Sequence, residues 1–225
     1  MTVIERTAYP RFKRVLTAKD LADIYTPTPQ ERFLAHRSTK GSVSELGFLV
    51  LLKTYQRLGY FPPMGDVPSS IIEHLAKIVN PTLHTADLAT YDTSGTRFRH
   101  IPLIRTAQHM QPYNRTARTC FLKAMLEAAK TKEDLADLIN VALEELAHAN
   151  FELPPFDTLD KAAHHARAIT LRGLYHRVYT TLSQETQSTR RPPRCSTRST
   201  LLLLGDAQTR TGIAHLDGPI CAKLI

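Results

Sequence analysis

The 225-residue chain predicts an all-α fold. Two observations carry that expectation. Helix-start signals recur from Thr28 to Thr158, and the apolar residues between them fall at three- and four-residue spacing. No stretch shows the period-two alternation of a half-buried strand.

The elements follow in order. Thr28-Pro29-Gln30-Glu31 is a capping box with Pro at the first helical position, where its missing N–H costs nothing. Ser42 to Glu45 reads as a second box, opening a long helix over 43–60 whose first half is apolar all round and therefore expected to be buried on every side. An aromatic-proline loop at 61–68 leads through Pro68 and Ser69 into a helix over 70–79. There Ile71, Ile72, Leu75, Ile78 and Val79 share one face, while Glu73, His74 and Lys77 point away. A further helix is expected around 97–105, and Asn114 is a plausible N-cap for the next. Thr131-Lys132-Glu133-Asp134 starts another, its acids placed where the helix dipole favours them. Its stripe is Leu135, Leu138, Ile139, Ala142, Leu143 and Leu146, over 132–148. Thr158 is the expected cap of a long basic helix over 158–183, carried by Leu159, Ala162, Ala163, Ala166, Ile169, Leu174, Val178 and Leu182.

Three regions follow from these elements. Residues 1–150 form a helical domain, 151–187 a long helix beginning a second helical subdomain, and 188–225 a tail. The break between the first two, ELPPFD, is a subdomain boundary rather than a flexible linker, because Phe151, Leu153 and Phe156 want burial. Residues 186–205 (TQSTRRPPRCSTRSTLLLLG) contain four arginines, no acid and no helical period, a composition read as disordered.

Hydrophobic content of 42% and charged content of 22% are ordinary for a globular protein. Charge is not: 29 Lys plus Arg against 21 Asp plus Glu leave a net +8, with a pI near 9.5. Such an excess favours phosphate-bearing partners, whose condensed counterions Lys and Arg release. A soluble basic protein without such a partner fits the composition equally well. The charge is uneven, with ten bases against five acids in residues 1–60 and one lysine against eight acids in 131–160. If DNA is bound, the acidic helix at 132–148 should face away from it.

Cys120, Cys195 and Cys221 are odd in number and far apart, which argues against a disulfide framework or a zinc site and fits a reducing cytosol. The start lacks the apolar core of a signal peptide, and no apolar run approaches the roughly 20 residues that span a bilayer. A soluble cytoplasmic protein with no membrane partner is expected.

No phosphate-binding loop, dinucleotide fingerprint or nucleophile elbow is present. Glu144 and His148 are four apart on one helix but lack a third ligand. His164 and His165 are adjacent and project about 100° apart, so they cannot chelate as a pair. Asp87 and Asp92 lie in a short polar segment that suits capping better than paired-carboxylate chemistry. No catalytic residue, metal or cofactor is expected. The basic clusters carry more. Arg97, Arg99, His100 and Arg105 surround a helix with Phe98, Ile101 and Ile104 interleaved. Arg97 and His100 are three apart, so one face can offer both to phosphates while the apolar residues anchor the helix. Arg11, Lys13 and Arg14 flank Phe12 as a basic arm. Arg167, Arg172, His176 and Arg177 are scattered along the long helix. A solvated basic face is the competing reading for each. The helix pair at 115–148 reads as structural rather than as a helix-turn-helix, because its second helix is too acidic for a phosphate-lined groove.

The stretch LGFLVLLKTYQRLGYFPPMGDVPSSIIEHLA resembles the N-terminal domain of transposases from the Tn-three family of replicative transposons. The shared features are Leu46-Gly47-Phe48, Arg57-Leu58-Gly59, Phe61-Pro62-Pro63 and Val67-Pro68. Tyr91, Arg97, Arg99, His100, Ile104 and Arg105 are similar to the family's Y…R-x-x-R-H…I-R stretch. Phe151 to Pro154, Thr158-Leu159 and Ala166-Arg167 are similar to its I-x-L-P…T-L…A-R segment. Together these cover residues 10–185. The resemblance implies a module that binds double-stranded DNA at transposon terminal inverted repeats, with possible self-association or contact with a transposase subunit. It also implies that the chain is a truncated N-terminal fragment without enzymatic activity, since strand cleavage in the family belongs to a magnesium-dependent domain far downstream. A frameshift near residues 187–190 would explain the tail. The rival readings are a helical protein-interaction module acting through surfaces such as 132–148, and a non-functional truncated product.

Overall fold

The computed structural model describes residues 2–83 and 85–182. The tail expected at 188–225 and the frameshift expected near 187–190 lie outside the described residues. Within them the chain is helical: eight α-helices joined by short 3₁₀ turns, with no strand and a lone bridge between Gln111 and Phe151.

Helix α1 (Ala18–Asp20) is capped reciprocally by Thr17 and Asp20 and runs on as a π-turn over Leu21–Tyr25 that buries Tyr25. Helix α2 (Pro29–Ser38) begins at the expected box. Glu31 N–H donates to Thr28 Oγ1 at 3.2 Å, and Thr28 N–H donates to Glu31 Oε2 at 2.7 Å. Helix α3 (Ser42–Leu58) lacks the second box. Gly41 is its N-cap, at φ 94°, and Ser42 is already helical, so no side chain caps it. It ends at Gly59, whose left-handed backbone (φ 72°) lets its N–H reach Tyr55 O at 2.7 Å.

Helices α4 (Ser69–Val79), α5 (Gly95–Ala107) and α6 (Arg115–Ala128) follow, the last two capped by Ser94 and by Asn114 as expected for the latter. Helix α7 (Leu135–His148) is capped by Asp134 rather than Thr131. The reason is local: the N–H groups of Thr131 and Lys132 both turn back to Ala128 O, closing the end of α6. Helix α8 (Phe156–Thr181) starts two residues before Thr158, whose own N–H already bonds Pro155 O inside the first turn.

Two apolar clusters hold these helices. The first surrounds α3, which is buried without interruption from Leu46 to Tyr55. Ile71, Ile72 and Leu75 of α4, Tyr91, and Ile104 of α5 pack onto it. Each such Leu or Ile contributes about 1.5–3 kcal/mol on burial. Two polar members of α3 find partners: Thr54 donates to Val50 O, and the buried Lys53 ammonium lies 3.3 Å from Glu31. The second cluster joins α6, α7 and the first half of α8 through Phe121, Met125, Ile139, Leu146, Leu159 and Ala163, with Tyr9 and Phe151. Packing therefore runs through the boundary expected at 150/151, and a single compact unit extends to Val178. Phe151 is buried, and Leu153 and Phe156 pack against the same cluster.

Past Ala166 the long helix changes character. Ile169, Leu171, Leu174, Tyr175 and Val178 are all exposed, so only the first half of its apolar stripe is core.

Candidate nucleic-acid interface

The sequence motifs meet in space. Gly47 sits where α3 crosses Tyr91: a Cβ there would lie 2.4 Å from the Tyr91 ring, so only glycine admits the contact. The Tyr91 hydroxyl lies 2.5 Å from His100 Nδ1, and Phe48 meets the imidazole edge-on at 5.2 Å. His100 is 3% exposed. Burial, and secondarily the charge of Arg99, lowers its pKa to about 4. The ring is thus neutral near pH 7 and shares a hydrogen bond with the Tyr91 hydroxyl through Nδ1.

Arg97, one turn away, stands 3.0 Å from Asp92 and donates to Pro62 O at 3.1 Å. Asp92 in turn accepts from Met64 N–H at 2.7 Å. These contacts tie the proline loop to α5. Arg105 forks onto Glu152 Oε2, at 2.9 Å from Nε and 2.6 Å from Nη2, with its guanidinium over the Phe61 ring. Phe61 stacks on Tyr55. Burial pushes the Glu152 carboxyl up, and the Arg105 charge partly offsets it. Leu153 N–H donates to Gly59 O at 2.9 Å, and the Leu153 side chain fills the space a Gly59 Cβ would enter, 3.2 Å away. Pro154 O accepts from the Tyr9 hydroxyl. The segments around Gly47, Gly59, Phe61-Pro62, Tyr91 to Arg105 and Glu152-Leu153 thus touch one another across the joint between the two clusters.

This placement sets part of the expected phosphate-binding set inside the fold. Arg97 and His100 do share a face of α5, but it is the inward face. In this conformation His100 is core, and Arg97 and Arg105 are committed to carboxylates. The expected anchor Phe98 points outward, 67% exposed. The period of α5 explains the inversion: Ile101 and Ile104 must face the core, and positions 97, 100 and 105 fall beside them.

The remaining expected residues lie on the surface. Arg11 is exposed, and Arg14 is exposed with Glu5 4.0 Å away. Lys13 is held by Asp20 at 2.6 Å, and that hydrogen bond is the first cause of an Asp20 pKa lowered to about 2. Arg99 is exposed and bonds only its own helix, at Gly95 O and Thr96. Arg167 is half-buried, and Arg172 and Arg177 are exposed on α8. These groups occupy three separate elements. Asp137 and Glu144 are exposed on the face of α7 away from the second cluster, and Glu133 is exposed just before its cap. His164 pairs loosely with Asp160 at 3.9 Å, and no group of three potential metal ligands occurs among the described residues. No described helix is long and apolar enough to cross a membrane. The side chain of Asp87 lies outside the described part.

One surface escaped the sequence reading. Arg32, Phe33, His36, Arg37 and Lys40 are all exposed, along α2 and just beyond its end. The signal was present as the basic residue types Arg32, His36 and Lys40, a four-residue helical spacing. It was masked because the overall apolar pattern of this short helix is weak.

No curated protein matches the chain. Residues 1–166 match a family model described as Domain of unknown function (DUF4158), and on that match, which spans most of its length, the chain belongs to the DUF4158 family.

Proposed function

We propose that the chain is a sequence-recognising, duplex-DNA-binding module related to the front of Tn-three-type transposases, directed at transposon terminal inverted repeats and without chemistry of its own. The observation that carries the reading is the interlocking of the resemblance motifs around Gly47, Gly59, Phe61-Pro62, Tyr91 to Arg105 and Glu152-Leu153. Residues that match the transposase pattern at four separate places contact one another as a single structural joint. Chance similarity has no reason to do that. The family match spans nearly the same residues, and this domain is found in transposase-associated proteins. The net charge of +8 and the exposed Arg11, Arg14, Arg99 and Arg172 supply the electrostatics. The test is a salt-titrated gel shift of the full chain on the inverted repeat of the element that carries its gene. Binding that falls steeply with salt and exceeds binding to a random duplex is the expected result. Equal binding to both removes the sequence recognition, and no binding removes the whole reading.

A second reading, a helical protein-interaction module, is favoured by the exposed Leu171, Leu174 and Tyr175 of α8. On that reading, Leu174→Glu abolishes capture of a transposase subunit while DNA binding is absent in the unmodified chain.

A further inference from the structure

We infer that the outer face of α2 is a DNA-docking surface, with Arg32, Arg37 and Lys40 on phosphates and Phe33 as an apolar wedge at a base step. The inference rests on the DNA-binding reading above and assigns it a surface outside the motif joint.

Taking 100° per residue, Arg32, His36, Phe33 and Arg37 fall, in that angular order, within one 140° arc of α2, and Lys40 follows the extended Thr39 that ends the helix. The opposite arc holds Glu31, Leu34 and Ala35, which face α3. From Thr28 to Ser44 the sequence contains one acid, Glu31. It is turned inward, 3.3 Å from Lys53 and 2.7 Å from the Gln56 amide. No ion pair among the described residues holds Arg32, Arg37 or Lys40. His36 has Glu45 at 3.6 Å, the one carboxylate beside the face.

Phe33 is the informative member. It is 69% exposed, more than any other aromatic ring in the described residues. A lone exposed apolar residue is unremarkable. A phenyl ring set between two unpaired arginines is the arrangement that architectural DNA-binding proteins use, cations on the backbone and an apolar side chain at the base step. A membrane or partner helix would ask for an apolar stripe, and this arc has none beyond Phe33. The surface also continues. Lys40 lines an open cavity of about 380 Å³ with Ser42, Ser44, Ser94 and Thr96, where the N-terminal ends of α3 and α5 add their positive dipole ends.

The experiment measures affinity of the full chain for a labelled duplex carrying the inverted repeat, over a range of salt. Three variants are compared: Arg32→Ala/Arg37→Ala, Phe33→Ala, and Lys123→Ala/Lys130→Ala on and beside α6 as a remote control. All are exposed positions, so unchanged thermal melts by circular dichroism establish folding. The arginine pair lowers the slope of log affinity against log salt by about two. Phe33→Ala weakens binding about tenfold with the slope unchanged, because it touches no phosphate. The α6 pair leaves both untouched. If the unmodified chain binds with a salt slope that the arginine pair does not lower, this surface is wrong and the DNA-binding reading stands. A Phe33→Ala affinity equal to that of the unmodified chain removes the wedge. An unmodified chain that does not bind removes the proposed function itself.

Discussion

Two regions of this protein carry arginine on a helix and use it in opposite ways. At the joint, Arg97 and Arg105 of α5 end against Asp92 and Glu152 and are mostly withdrawn from solvent. On α2 and the far half of α8, Arg32, Arg37 and Arg172 are exposed. The sequence makes the first group look like the binding surface, since it is denser and sits in a recognisable motif. The structure pairs it with carboxylates of its own chain. What separates the groups is a carboxylate contributed from elsewhere in the chain, as with Glu152 47 residues beyond Arg105. A cation with a buried internal partner stabilises the fold, whereas one without such a partner remains available to a phosphate.

Four substitutions or conditions test that division. The largest effect is expected from Arg105→Ala, which strands the largely buried Glu152 carboxylate and removes the cover of Phe61. A loss of about 3 kcal/mol in urea unfolding is expected, discounted from a fully buried pair because the arginine retains some solvent contact. Arg105→Met/Glu152→Leu should recover more than half of it. A double variant as unstable as the single one would show that the pair is not the source.

Acid comes next. His100 has a folded pKa of about 4 against an ordinary 6.5, so between those values the unfolded chain takes up the proton and the folded chain does not. Stability is then full above pH 6.5, declines as pH falls from 6.5 towards 4, and loses about 3 kcal/mol in all. His100→Gln should flatten that window in pH-dependent denaturation, and an unchanged profile would assign the decline to another group.

Gly47→Ala drives a methyl group into the Tyr91 ring and should cost about 1–3 kcal/mol, read as a shift in the denaturation midpoint. The smallest stability effect belongs to Arg172→Ala, within about 0.5 kcal/mol of the unmodified chain. A large destabilisation there would place Arg172 with Arg105 and blur the division.

Much of the helical framework was legible in advance. The α2 capping box, the all-round apolar α3, the amphipathic faces of α4 and α7 and the Asn114 cap are local signals, and they hold. The misses are also local in origin. Thr131 lost its cap role because its N–H closes α6, and Ser42 lost its own because Gly41 enters α3 through a positive φ. The candidate site was less legible. Spacing placed Arg97 and His100 on one face correctly, but said nothing about whether that face looks inward or outward.

The sequence by itself determined where helices begin, which of their faces are apolar, and that the chain as a whole is basic, because propensity, capping and charge act within a few residues of each position. Only the tertiary structure decided what each charge does. Glu152, Asp92 and Asp20 neutralise particular cations through contacts made by folding, and the burial of His100 beneath Phe48 and Tyr91 depends on Gly47 letting a distant segment approach. Glu152 and Arg105, like Gly47 and Tyr91, lie close in space and far apart in the chain, so a reading along the chain could not assign them.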